Sequence, residues 1–171
     1  MKKFYLLAFA LMQFCCMANA QVIEGTVLKS WDGASGAIEI PANVTEIAEN
    51  CFFEPAEEDP DSWENPTEER SNTNITSVKL NNVKKIGKNA FRGCSNIETI
   101  DAPNVETIEE GAFYGLEKLT ILSLPSIKEL GMNAFEGCNQ IAKIALGSGL
   151  AKMFGNTFKG CKAVSDISVA A

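Results

Sequence analysis

The chain has 171 residues, of which 15 are basic, 22 are acidic and none is histidine, giving a formal net charge of −7 at pH 7. Without histidine, the Ser-His and Cys-His systems of nucleophilic catalysis and the usual histidine-ligated zinc sites are excluded. The acidic balance argues against nucleic acid or an anionic membrane surface as a partner. We therefore predict a non-enzymatic protein with no cofactor and no bound metal.

Residues 1–20 have the pattern of a secretory signal peptide. A basic start, Met1-Lys2-Lys3, is followed by an apolar run and by Ala18-Asn19-Ala20, the small-x-small pattern of a signal peptidase site. The apolar run is too short for a spanning helix, which favours cleavage over a retained anchor. A retained anchor is one alternative interpretation, and a lipoprotein that uses Cys15 or Cys16 is another. We predict cleavage before Gln21, export to the periplasm, cell surface or medium, and no membrane-spanning segment in the remaining chain.

A repeat of 22–23 residues organises the chain from residue 38 onward. An early copy spans residues 38–52, and later copies begin at Ile75, Ile97, Leu119, Ile141 and Val164. Apolar residues recur at the same positions in each copy, so neighbouring copies must stack to bury them. Within each copy, a segment in which side chains alternate with a period of two predicts a short parallel strand. We predict a repeat solenoid, between α/β and mainly β in class, that forms a right-handed stack of about five repeats.

A phenylalanine marks the end of each repeat. Phe91, Phe113, Phe135 and Phe158 occupy one position, each followed two residues later by glycine. The surrounding Ala-Phe-x-Gly-Cys segment predicts a brief helical or 3₁₀ turn, with the ring in the core and the glycine in a left-handed conformation.

Residues 54–70 have no counterpart in the other repeats. They hold eight acidic residues, one basic residue, three prolines and Trp63, a composition that predicts a projecting loop. The loop is interpreted either as a tolerated insertion or as a ligand-contacting segment anchored by Trp63. Calcium binding by Asp59, Asp61 and Glu64 is chemically reasonable, but the spacing lacks the glycine turn and closing glutamate of a known calcium loop.

Four cysteines follow the predicted signal peptide. Cys94, Cys138 and Cys161 share one repeat position, where Leu116 in the intervening copy indicates a site for a small apolar side chain. Cys51 instead takes the position of the repeat alanine. An even count in an exported chain is compatible with disulfides, but parallel side chains in adjacent repeats fit a disulfide poorly. We predict buried free thiols.

The repeat pattern Ile-x-Leu-Pro-x-x-Val-x-x-Ile-x-x-x-Ala-Phe-x-Gly-Cys resembles the BspA-like leucine-rich repeat family. Pro41, Pro103 and Pro125 occupy the family's proline position. The resemblance implies a leucine-rich-repeat-type solenoid at residues 38–171, preceded by a lead-in or cap at residues 21–37.

Alternate residues of the predicted strands point away from the core and form the candidate ligand-binding set, together with Trp63. These residues are Ser77, Lys79, Thr99, Asp101, Ile121, Ser123, Lys143 and Ala145. Because they are small and nearly neutral as a group, a merely solvated face is the competing interpretation.

The resemblance also implies a function, because BspA-like proteins are associated with attachment of host-dwelling bacteria to extracellular matrix and plasma proteins. It implies that the partner is an extracellular or cell-surface protein, or a glycan. One alternative is a structural component of the cell envelope that self-associates through the open strand edge near Ile167. Another is a repeat protein that has no ligand.

Overall fold

The computed structural model describes residues 20–55 and 70–170, and every regular element within them is a short β-strand. In chain order the strands are β1 (Ala20–Glu24), β2 (Val27–Asp32), β3 (Gly36–Glu39), β4 (Glu46–Ile47), β5 (Phe53–Glu54), β6 (Arg70–Ser71), β7 (Ile75–Lys79), β8 (Lys85–Ile86), β9 (Thr99–Asp101), β10 (Thr107–Ile108), β11 (Ile121–Leu124), β12 (Glu129–Leu130), β13 (Lys143–Leu146), β14 (Lys152–Met153) and β15 (Asp166–Val169). Nearly all of the predicted signal peptide and most of the acidic insertion, including Trp63, lie outside the described residues.

The repeats stack as six coils of a β-solenoid, which confirms the predicted fold. β3, β7, β9, β11, β13 and β15 each belong to one coil, from coil one to coil six. They pair in parallel as two sheets, β3-β7-β9 and β11-β13-β15, and β9 lies beside β11. Because the repeat period matches the register, equivalent residues such as Leu122 and Ile144 become direct partners. We call the outward side of these six strands the strand face.

A second sheet forms the adjoining side of the solenoid. Its order is β1-β2-β4-β8-β10-β12-β14, and from β2 onward all neighbours are parallel. β1 pairs antiparallel with β2, so the predicted lead-in forms a hairpin at the start of the stack. β5 and β6 pair antiparallel at the base of the acidic insertion, where the chain leaves and rejoins the repeat.

The core consists of stacked columns of equivalent residues. Ile47, Ile86, Ile108 and Leu130, which follow one another in coils one to four, are each 0% exposed. A ladder of rings runs beside this column through Phe52, Phe91, Phe113, Phe135 and Phe158, with successive ring centroids 4.7–5.5 Å apart and nearly parallel planes. Each buried aliphatic or aromatic side chain of this kind contributes about 1.5–3 kcal/mol through its removal from water.

The segment around each phenylalanine is not helical, contrary to the prediction. In coil two the amides of Asn89, Phe91 and Gly93 donate to carbonyls of coil three, while the amides between them close turns within the coil. This alternation leaves no run of helical hydrogen bonds. The predicted left-handed glycine is present, with a φ of 67° at Gly93, and Asn89 is also left-handed, with a φ of 52°. Two left-handed residues four apart interrupt any helix.

The described cysteines are free, and three of them are buried. Cys51, Cys94 and Cys138 lie in the core, whereas Cys161 is partly exposed. The Cys138 thiol donates to the carbonyl of Phe113 at 3.2 Å, and Cys161 makes the same contact one coil later. Burial raises the pKa of the Cys51, Cys94 and Cys138 thiols to about 12, because an apolar core disfavours the thiolate.

These thiols are expected to make the fold sensitive to alkali. The unfolded chain loses its thiol protons near pH 9, whereas the folded core retains them up to about pH 12. The contribution of these thiols to the free energy of unfolding should therefore be constant below about pH 8 and fall above it, by up to about 1.4 kcal/mol per pH unit for each thiol. Urea melts at a series of pH values measure this slope.

The control for this prediction is a variant in which Cys51, Cys94 and Cys138 are all replaced by alanine. Lysine ion pairs on the surface also weaken in alkali, but they are identical in the two proteins. If the free energy of unfolding fell equally steeply above pH 9 in the variant and in the natural chain, the loss of stability in alkali would not come from these thiols.

Candidate binding face

The strand face brings together eight of the nine residues selected from the sequence as ligand contacts. β7 places Ser77 opposite Thr99 of β9 and Lys79 opposite Asp101. β11 places Ile121 opposite Lys143 of β13 and Ser123 opposite Ala145. All eight point outward in two parallel rows, and the ninth, Trp63, lies outside the described residues.

A shallow cavity of about 380 Å³ lies over β3, β7 and β9. It forms because one row carries the short side chains of Ala37, Ser77 and Thr99, while the next row carries the longer Glu39, Lys79 and Asp101. These side chains line the cavity together with the apolar residues between them. The cavity is therefore a groove with a small-residue floor and a charged wall.

The charged wall is held by a hydrogen-bonded ion pair. Lys79 Nζ donates to Glu39 Oε1 at 2.9 Å, and Asn81 Nδ2 donates to the same oxygen at 3.0 Å. The Asn81 hydrogen bond and then the Lys79 contact lower the pKa of Glu39, and the Glu39 carboxylate raises the pKa of Lys79. Since both partners are exposed to water, the pair orients the side chains more than it stabilises the fold. The nearby Asp101 leaves the wall with one excess negative charge.

A second cavity of about 450 Å³ adjoins the first and lies at the starts of β9, β11 and β13. It is lined by Glu98, Thr99, Lys118, Thr120 and Gln140, and Thr99 also lines the first cavity. The sequence interpretation missed the other four residues because they precede the strands, where period-two alternation carries no information. The signal for them in the sequence was their equivalence in successive repeats, since Glu98 matches Thr120 and Lys118 matches Gln140.

Ile121 lies beside both cavities and is the anomalous residue of the strand face. Its side chain is 58% exposed. The same position carries alanine, serine or threonine in coils one to three and lysine in coil five. A large apolar side chain on an otherwise polar face has no role in the core, and its burial by a partner would be favourable.

A larger cavity of about 490 Å³ lies at the base of the acidic insertion. Trp31, Phe52 and Phe53 contribute aromatic walls, and Asp32 and Arg70 lie at its edge. The Trp31 and Phe52 rings are 6.3 Å apart and tilted, so this cavity is continuous with the phenylalanine ladder. It places the base of the insertion, β5 and β6, on a different part of the molecule from Ile121.

Metal and membrane motifs were also sought in the part of the chain that the structure describes. It contains no group of three or more cysteine or carboxylate side chains that could hold a metal ion. It also has no helix with the length and apolar character needed to cross a membrane.

Several solved bacterial repeat proteins have the same fold. A leucine rich cell surface protein from Faecalibacterium prausnitzii superposes with a TM-score of 0.64 and 26% identity, over 79% of this chain and 32% of that one. A leucine-rich repeat protein from Bacteroides ovatus superposes with a TM-score of 0.69 and 22% identity, over 91% of this chain and 41% of that one. The leucine rich repeat protein of T. pallidum superposes with a TM-score of 0.68 and 17% identity, over 84% of this chain and 77% of that one. This chain thus spans about a third to two-fifths of the first two structures.

The comparison with protein families is more specific than the shared fold. The sequence profile described as the BspA type leucine rich repeat region matches residues 68–171 in six copies, which is more than half of the chain. None of the curated proteins matches the chain. The repeat period, the stacked coils and the profile match agree, and the chain belongs to the BspA type leucine rich repeat family.

Proposed function

We propose that this chain is an exported, non-enzymatic protein-binding module that mediates adhesion to host extracellular or cell-surface proteins through its strand face. The family and a structural relative that is itself described as a cell surface protein support a surface role. The predicted signal peptide at residues 1–20 supports export. The observation that carries the proposal is the exposed Ile121, which neighbours Thr99 and Thr120 of the adjoining cavities.

Ile121 has the properties of an interface anchor. It is 58% exposed, rises from a rigid strand and is surrounded by small or polar side chains such as Thr99 and Ser123. Binding energy in protein interfaces is concentrated in a few buried apolar or aromatic anchors, while the surrounding residues exclude water. The two cavities beside Ile121 would accept side chains projecting from the partner.

The charges that line the first cavity, and the net charge of the chain, favour a partner with a basic surface. Glu39 and Asp101 outnumber Lys79 in the wall of the first cavity. After removal of the predicted signal peptide, the chain has 13 basic and 22 acidic residues, a net charge of −9. Long-range attraction of this kind accelerates association with a basic partner more than it adds to final affinity. Trp63 in the acidic insertion is proposed as a second, separate contact.

The test is binding of purified residues 21–171 to an array of host extracellular proteins and glycans, followed by variants on each ligand found. Ile121→Asp should weaken binding about 30-fold, which corresponds to a loss of about 2 kcal/mol at an anchor. Trp63→Ala measures the contribution of the insertion in the same assay.

Val22→Asp is the matched control, because Val22 is another exposed apolar residue, 45% exposed, on β1 and away from the strand face. It should leave binding unchanged. If Ile121→Asp and Val22→Asp weakened binding equally, the strand face would not be the contact surface. An array without saturable binding would contradict adhesion itself.

A further inference from the structure

The cavity at the base of the acidic insertion has the size of a small-molecule site. Its volume of about 490 Å³ falls within the range of about 300–1,000 Å³ that is typical of ligand pockets. It lies between the end of β2 and the β5–β6 pair, where the chain departs from the repeat. It shares no lining residue with the two cavities of the strand face, so it is separate from the proposed protein-binding surface.

The wall of this cavity that β6 forms is fixed on the stack. Asn72 Nδ2 donates to the Ala34 carbonyl at 2.9 Å, and the Asn72 amide donates to the Phe52 carbonyl at 3.1 Å. Ser71 lies so close to Gly93 of coil two that a β-carbon on this glycine would overlap the Ser71 side chain. Walls that are held in place before a ligand arrives reduce the entropic cost of binding.

Trp31 supplies a partly exposed aromatic ring to the cavity. Its ring packs beside the Phe52 ring at a centroid distance of 6.3 Å, which restricts its orientation. The indole N–H of Trp31 is buried and has no hydrogen-bond acceptor among the described residues. A buried donor without an acceptor is costly, and an oxygen of a ligand in the cavity would supply one.

Asn50 Oδ1 also lines this cavity as a buried atom without a hydrogen-bond donor among the described residues, but it does not point to a ligand. Asn133 Oδ1 is in the same state, occupies the same repeat position and lies outside the cavity. The unpartnered Asn50 oxygen is therefore a property of the repeat, whereas the unpartnered Trp31 N–H is specific to this cavity.

The polar side chains around the cavity include both hydrogen-bond acceptors and donors. Asp32 and Glu54 carry carboxylates, Arg70 carries a guanidinium, and all three residues are exposed. None of the three takes part in an ion pair within the described residues, so their polar atoms remain accessible to a ligand. The hydroxyl groups of Ser30 and Ser71 line the cavity as well. The cavity thus combines an aromatic ring with groups that donate and groups that accept.

We propose that this cavity binds a neutral sugar unit of a glycan. A pyranose ring has an apolar C–H face that packs on an aromatic ring, and its hydroxyl groups both donate and accept hydrogen bonds. A wholly apolar ligand would remove the charged groups from water without replacing their hydrogen bonds. An anionic ligand would be repelled by Asp32 and Glu54. A cationic ligand would offer no acceptor to the Trp31 N–H or to Arg70.

The test uses the Trp63→Phe variant of residues 21–171, in which Trp31 is the only tryptophan and its fluorescence reports on the cavity. The probes are soluble oligosaccharides of glucose, mannose, galactose and N-acetylglucosamine, each titrated separately up to about 50 mM. Binding of a neutral sugar should change the Trp31 emission with saturation. Calorimetry on the natural chain should give the same dissociation constant.

Asp32→Ala should weaken binding of that sugar about tenfold, because it removes a hydrogen-bond acceptor beside the cavity. Asp101→Ala is the matched control, since Asp101 is an exposed carboxylate on the strand face, and it should change the affinity less than about twofold. Ile121→Asp should leave sugar binding unchanged, which distinguishes this site from the proposed adhesion surface. Thermal melts establish that each variant is folded.

Absence of a saturable change in Trp31 emission with every one of these sugars overturns the proposal. An equal loss of affinity in Asp32→Ala and Asp101→Ala also overturns it, because the sugar would then bind elsewhere. Saturable binding of trilysine or triarginine without a response to sugars overturns it as well, since that result indicates a site for basic side chains of a protein partner.

Discussion

Replacement of Phe113 by alanine should lower the free energy of unfolding by about 3–5 kcal/mol, since the change removes a buried ring and leaves a cavity. Phe113 is 1% exposed and lies between Phe91 and Phe135, with ring centroids 5.2 and 5.3 Å away. A cavity in the middle of the ladder removes contacts on both sides. Urea melts of the variant and the natural chain measure the loss.

Phe158→Ala is the matched control, because it makes the same chemical change at the end of the ladder. Phe158 is only partly buried and stacks on one described ring, that of Phe135, at 5.5 Å. Its loss should be about half that of Phe113→Ala, roughly 1–3 kcal/mol. Equal losses at the two positions would contradict stabilisation by stacking of neighbouring coils.

Replacement of Gly147 by alanine should destabilise the fold by about 3 kcal/mol or more, although it adds a single methyl group. A β-carbon on Gly147 would overlap the backbone carbonyl of Pro125 in the preceding coil. The obstructing atoms are backbone, so they cannot rotate away as a flexible side chain could. Relief requires the two coils to separate, which disturbs the hydrogen bond from the Gly147 amide to the Leu124 carbonyl.

Gly149→Ala provides the comparison within the same connection. A β-carbon at Gly149 would meet only the Ile127 carbonyl oxygen, at an ordinary contact distance of 3.6 Å. The expected change is within about 1 kcal/mol, and reduced flexibility of the unfolded chain could make it stabilising. Thermal melts that rank Gly149→Ala as the more damaging variant would show that the close approach of the two coils is wrong.

Part of the binding face could be predicted from the sequence because strands impose a period of two. The outward direction of Ser77, Thr99 and Ile121 follows from alternation with buried neighbours once the repeat register is known. The cavities do not follow from that rule, because their depth depends on side chains from several coils. Lys118 and Gln140 line a cavity from connections, where neither period nor propensity indicates a direction.

The sequence by itself determined the stack of coils, because a 22-residue period with conserved spacing of apolar residues can bury them in only one arrangement. It also determined the phenylalanine ladder and the left-handed glycine at Gly93. The tertiary structure alone decided which contacts between coils are too close for a β-carbon, as at Gly147, and which apolar residues stay exposed, as at Met132 and Phe154. These features depend on distances between residues about twenty positions apart in the chain, and local patterns of polarity do not encode such distances.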